Sequence, residues 1–168
     1  MRIQLEHFYH GAALTQIVED PRVTSIRSLT YGRNISKSAY RINGNIAVYV
    51  KYSGKPNKSH REYVFQFSRS QRTEMEAISK HIQKFFVALV CVKGCEICCV
   101  EYSEILKMFN ARRKSKGAVE AQIAILVTLP KGNQFRVYVN APQTKNMLLG
   151  EELLVPRNAF PELIFSKE

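Results

Sequence analysis

Apolar and polar positions change period several times along the 168 residues. In "GAALTQIVEDP", Ala13, Leu14, Ile17 and Val18 recur at helical spacing, and the pattern stops at Pro21, which predicts a short helix over 11 to 20. "RVTSIRSL" is β-prone, and "TYGRNISKS" reads as a polar loop. Residues 40 to 42 and 45 to 53 flank Asn43-Gly44, a strong signal for a two-residue hairpin turn. Val48, Val50 and Tyr52 alternate with Tyr49, Lys51 and Ser53. Tyr63, Phe65 and Phe67 alternate with Val64, Gln66 and Ser68, so both runs read as strands with one apolar face. The stretch between them, "GKPNKSHRE", is expected to be a mobile excursion that orders only against a partner.

A second helix is expected over 71 to 83, capped by Ser70 or Thr73, with Thr73 and Glu76 as a capping box and Met75, Ile78 and Ile82 facing inward. "FFVALVCV" and "CEICCVEY" form a hairpin around Lys93-Gly94, where Gly94 takes the positive φ of a tight turn. A third helix, over 103 to 110 and capped by Ser103, turns Ile105, Leu106 and Phe109 inward; "NARRKSKGA" follows it as a basic loop. "QIAILVTL" and "QFRVYVN" are joined by "PKGN" as another hairpin, and the tail reads as loops with a short helical turn. The order α-β-β-β-α-β-β-α-β-β gives an α+β chain with a central mixed or mainly antiparallel sheet and two or three short helices.

Length is consistent with one domain spanning 1 to 168. Hydrophobic residues at 45% can fill a core. No apolar run approaches the roughly 18 residues that cross a bilayer, and the start lacks a signal-like apolar stretch, so a cytoplasmic, membrane-free chain is expected. The net charge is +11 and uneven: residues 46 to 116 hold fourteen basic and six acidic side chains, residues 117 to 168 five of each. Such an excess attracts polyanions if it gathers on one face.

Cys91, Cys95, Cys98 and Cys99 fall in one hairpin without a second CxxC pair, and the four histidines are scattered. Small core residues in a reducing compartment are expected, with no metal and no cofactor. No nucleophile constellation and no glycine-rich phosphate loop is present in the sequence.

If the strands at 48 to 53 and 63 to 68 pair, Lys51, Ser53, Gln66 and Ser68 share a polar face, with Lys51 and Gln66 as the candidate catalytic groups. Arg69 and Arg72 at the next helix start would suit an oxyanion. Lys55, Lys58 and Arg61 in the preceding loop and Arg112, Arg113, Lys114 and Lys116 in "NARRKSKG" complete the candidate phosphate contacts. A solvated sheet face and a solvated loop are the alternatives.

"SAYRINGNIAVYVKYSGK", "EYVFQFS", "KFFVALVCVKGCEICCVEYSEIL" and "NAFPELIF" resemble stretches of a group of small bacterial proteins whose signature is a strand ending in Lys-Tyr-Ser. That resemblance implies a bacterial or phage setting, such as defence or counter-defence, and no particular activity. The element order over 11 to 92 is also similar to the α-β-β-β-α-β core of restriction-endonuclease-like, or PD-(D/E)XK, nucleases. In them two carboxylates hold Mg²⁺ beside a lysine. Here Tyr49 stands two positions before Lys51, Gln66-x-Ser68 follows on the next strand, and Asp20 is the only aspartate. Glu19, Glu62 and Glu74 are the nearest acids and read as solvated.

The expectation is a nucleic-acid-binding protein that grips phosphates. The alternatives are a divergent Mg²⁺-dependent nuclease built on Lys51 and an interaction module for an acidic protein. Sequence leaves the oligomeric state open.

Overall fold

A computed structural model describes residues 1–144 and 147–166. The chain is α+β, with four helices, a mixed five-stranded sheet and a second, antiparallel four-stranded sheet. Helix α1 (Leu5–Val18) begins about a turn and a half before the predicted start and ends two residues before the predicted end. Strands β1 (Ile26–Tyr31) and β2 (Asn34–Ile42) form a hairpin across "TYGRNISKS", so the segment read as a polar loop is mostly strand. β2 turns into β3 (Ile46–Ser53) at Asn43-Gly44, whose φ values of 51° and 81° are those that a tight hairpin turn demands. Asn43 also ties the turn down, accepting from Thr24 N at 2.7 Å and donating to Arg22 O at 2.8 Å.

After β3 the chain leaves the first sheet. β4 (Tyr63–Ser68) joins the second sheet, α2 (Arg69–Ser79) follows, and β5 (Lys84–Cys91) returns parallel to β3. The expected pairing of β3 with β4 is therefore corrected. A parallel neighbour needs a crossover connection, and β4 with α2 supplies it. β6 (Glu96–Glu101) closes the first sheet, in the order β1-β2-β3-β5-β6. The β5–β6 turn spans 92 to 95, and Cys95, with φ 52°, takes the left-handed conformation assigned to Gly94. Gly94 answers to space instead: a Cβ there would lie 2.9 Å from Leu129 Cδ2 and 3.3 Å from the Tyr63 hydroxyl.

Helix α3 (Tyr102–Lys116) runs through "NARRKSK", which is helix and not loop. It ends at Gly117 in the left-handed region, φ 71°, whose N–H caps Arg113 O. Its N-cap is Glu101, and Ser103 lies inside the first turn. α2 is capped by Ser68 rather than Ser70 or Thr73: Ser68 Oγ accepts from Gln71 N at 3.2 Å while Gln71 Oε1 accepts from Ser68 N at 2.9 Å. The second sheet takes the order β4-β7-β8-β9 from β7 (Gln122–Thr128), β8 (Phe135–Tyr138) and β9 (Leu153–Val155), the last falling in the tail read as loops. Helix α4 (Glu162–Phe165) is the expected terminal turn.

Burial explains the two kinds of strand. In β3 and β5 both parities are buried. Ala47, Tyr49, Val87 and Leu89 meet Phe65, Phe67, Ile125 and Phe135 of the second sheet together with Met75 of α2 and Ile105 of α3. Ile46, Val48, Val50 and Ala88 meet Ala13 and Ile17 of α1 and Ile164 of α4. A sheet covered on both faces needs continuous apolar runs such as "FFVALVC". Cys91, Cys98 and Cys99 fill these layers and Cys95 is exposed. Burial pushes the Cys91 thiol up to about 12, which keeps it protonated. No helix among the described residues is long and apolar enough to cross a membrane.

Candidate functional site

The predicted cations divide into groups that behave differently. Arg72 and Arg112 are occupied by the fold. Arg72 donates to Phe67 O at 2.6 Å and to Glu120 O, fastening α2 to β4 and to the segment before β7. Arg112 holds the Glu120 carboxylate with two bonds, 2.6 and 2.8 Å, and donates to Asn140 O at 2.6 Å. These bonds hold the Glu120 carboxyl below the usual carboxylate range.

Arg69, Arg113, Lys114 and Lys116 are exposed and form no ion pair among the described residues. Arg69 and Arg113, with Arg72 between them, line a groove of about 270 Å³ between α2 and α3. Arg113 and Lys116 lie in the last turn of α3, where cations complement the helix dipole. Lys55, Lys58 and Arg61 are exposed in the loop after β3. That loop is ordered by its own Asn57, contrary to the expectation of order induced by a partner. Asn57 Oδ1 accepts from His60 N at 3.0 Å and Glu62 N at 3.1 Å, and Asn57 N donates to Glu62 O at 2.8 Å.

Lys51 and Gln66 do not share a face. Lys51 is half-buried between the sheets, its Nζ 5.2 Å from the Phe67 ring centroid and 3.4 Å from Gln71 Oε1. Burial lowers its pKa below the ordinary lysine value. One strand step away, the Tyr49 hydroxyl donates to Glu74 Oε2 at 3.4 Å, and Glu74 Oε1 is buried without a hydrogen-bonding partner among the described residues. Glu74 thus points into the fold and is not the solvated acid expected. Among the described residues no three His, Cys, Asp or Glu side chains gather as a metal cage.

Gln66 lies on the opposite side of β4, on the outer face of the second sheet. β4 and β7 are in register there, Val64 against Leu126 and Gln66 against Ala124. These residues floor a trough of about 730 Å³. One wall is the Asn57 loop with Glu62, and the other is Arg112, Asn140 and Thr144. Glu62 is 5% exposed, not solvated as expected. Its carboxylate accepts from the Tyr138 hydroxyl at 2.6 Å and from Asn57 Nδ2 at 2.9 Å. Burial and the adjacent carboxylate raise the Tyr138 pKa, so the phenol remains a donor.

No protein-family model, curated protein or solved structure matches this chain. The site therefore rests on its own geometry.

Sequence reasoning passed over Tyr138 and Asn140 and misplaced Glu62. Local pattern holds part of the signal, because Glu62, Val64 and Gln66 share strand parity and hence one face. Tyr138 and Asn140 reach that face from another hairpin, which no local period reveals.

Proposed function

We propose that the protein binds nucleic acid through phosphate contacts, in a bacterial or phage setting. The observation that carries this reading is the exposed set Arg113, Lys114 and Lys116 on the last turns of α3, beside Arg69 across a groove that Glu76 and Glu120 also line, with none of the four cations in an ion pair among the described residues. Cations left unpaired in a chain of net charge +11 favour a polyanion, and binding would release counterions and weaken steeply with salt. Arg72 and Arg112 are positioning residues in this scheme, because their donors are already committed to Phe67, Glu120 and Asn140.

The test is binding of labelled single- and double-stranded DNA and RNA across a salt series, with and without Mg²⁺. The expected result is salt-sensitive binding whose salt slope shallows in Arg113→Glu/Lys114→Glu, each lost phosphate contact removing about 0.9 from the slope on duplex DNA. Absence of binding at low salt overturns the reading and favours an acidic protein partner. Mg²⁺-dependent products abolished by Lys51→Ala would instead support the nuclease alternative, for which Lys51 reaches Gln71 and Tyr49 reaches Glu74 across the β3–α2 contact.

A further inference from the structure

We propose that the trough on the outer face of the second sheet holds one unpaired nucleobase while the phosphates run along the cations outside it; this rests on the nucleic-acid reading and adds base contact to it. The sign of the charge inside the trough decides between base and phosphate. Glu62 is a buried carboxylate that accepts from two neutral donors, Tyr138 and Asn57, and has the His60 ring 4.0 Å from its Oε2. Arg112, the guanidinium on the far wall, is neutralised by Glu120. With His60 neutral, a phosphate would be repelled by the Glu62 charge there, whereas a neutral ring would not.

The shape and chemistry agree with a planar heterocycle. The floor is a sheet surface of Val64, Ala124 and Leu126, on which an aromatic ring can lie. Around it stand the carboxamides of Gln66, Gln122 and Asn140, each able to pair a donor with an acceptor on a base edge. Asn140 Oδ1 is buried and has no hydrogen-bonding partner among the described residues, while Arg112 fixes the same residue through its backbone carbonyl. An unpaired acceptor on one wall and a buried carboxylate on the other favour a ligand rich in N–H donors, so a base with an exocyclic amino group fits better than uracil or thymine.

Position supplies the link to the polymer. Arg112 and Arg113 are consecutive on α3, yet Arg112 lines the trough and Arg113 lines the basic groove. A strand lying along Arg69 and Arg113 thus reaches the trough around one helix end. On the other wall, Lys58 and Arg61 alternate with Ser59, His60 and Glu62, which face in.

The experiment uses the full ¹⁵N-labelled chain titrated with adenosine, cytidine and uridine, following the side-chain amide signals of Gln66, Gln122 and Asn140. In parallel, a short oligoadenylate and an abasic chain of equal length are compared on the wild type, Ala124→Trp and Gln66→Ala. Expected are shifts of those amides by adenosine and cytidine ahead of uridine. Oligoadenylate should bind about tenfold tighter than the abasic chain, roughly what one stacked base contributes. Ala124→Trp should erase that margin without changing abasic binding or its salt slope, and Gln66→Ala, on an exposed side chain, should reduce it in a variant with an intact floor. Equal binding of the two chains by the wild type, or silence of the three amides, overturns the base site while leaving phosphate binding standing. Failure of every polymer at low salt, with the amide shifts still present, removes the phosphate reading and leaves the base site.

Discussion

The two sheets of this protein differ both in their strands, continuous apolar runs in β3 and β5 against alternation in β4, and in their surroundings. The five-stranded sheet is covered on both faces, by α1 and α4 on one side and by α2, α3 and the second sheet on the other. The four-stranded sheet is covered on one face, and its other face floors an open trough edged by Glu62, Arg112 and Asn140. The covered sheet has little surface left for chemistry; its half-buried Lys51 lies against a ring and an amide. The half-covered sheet can present a fixed array of side chains to a ligand, because one face supplies stability and the other is released from packing.

That contrast predicts opposite parity effects in denaturant unfolding. In β5, Leu89→Ala should cost about 2–5 kcal/mol and its neighbour Val90→Ala about 2 kcal/mol, since both face packed layers. In β4, Phe65→Ala should cost about 3–5 kcal/mol while Gln66→Ala stays within about 0.5 kcal/mol. A Gln66→Ala loss comparable with that of Phe65→Ala would mean that the outer face is packed in solution and that no trough is open.

Much of the fold is legible locally, and the site is not. Asn43-Gly44 specifies its turn, and Met75 and Ile78 mark the buried stripe of α2, because these signals lie within a few residues of one another; Ile82, expected on that stripe, is buried beyond the helix end at Ser79. Alternation reports which residues share a face but not which strand lies alongside, so β3 and β4 could be assigned to one sheet although they belong to two. "NARRKSKG" did carry a helix-end signal, basic residues in a last turn followed by glycine, that its charge density obscured. Glu62, Arg112, Tyr138 and Asn140 converge from three segments, and only the tertiary arrangement of β4, α3 and β8 makes them neighbours.

The next prediction concerns how the trough's wall is held. Arg112 and Glu120 expose only 19% and 15% of their side chains, so screening by solvent is limited and the bidentate pair is worth more than a surface bridge. Arg112→Ala leaves Glu120 and Asn140 O without their donor and should cost about 2 kcal/mol, with Arg112→Lys recovering part of that because the charge stays while the fork is lost. Because Arg112 depresses the folded Glu120 pKa, the pair's stabilisation is fully present above the ordinary carboxyl pKa and lost as pH falls through the depressed value. Urea unfolding of the wild type and Arg112→Ala on the acid side of neutrality checks this: the difference between them should narrow as pH drops. A constant difference would assign the loss to packing of the arginine stem.

The smallest expected effects separate two uses of glycine, one in each part of the molecule. Gly117 ends α3 with φ 71° and has nothing within 4 Å of where a Cβ would stand, so Gly117→Ala tests backbone conformation alone and should cost about 1 kcal/mol. Gly94, in the β5–β6 turn, has no such φ; its added Cβ would crowd Leu129 Cδ2 and the Tyr63 hydroxyl, where the two sheets approach. The Leu129 methyl is the free end of a side chain and can rotate away, so Gly94→Ala should cost less than about 1 kcal/mol. Truncating the obstacle distinguishes the causes: in a Leu129→Ala background the Gly94→Ala penalty should shrink, while the Gly117→Ala penalty should not change, since strain in φ has no neighbour to remove. Equal penalties for Gly94→Ala in both backgrounds would mean that the turn, and not the contact between sheets, requires glycine there.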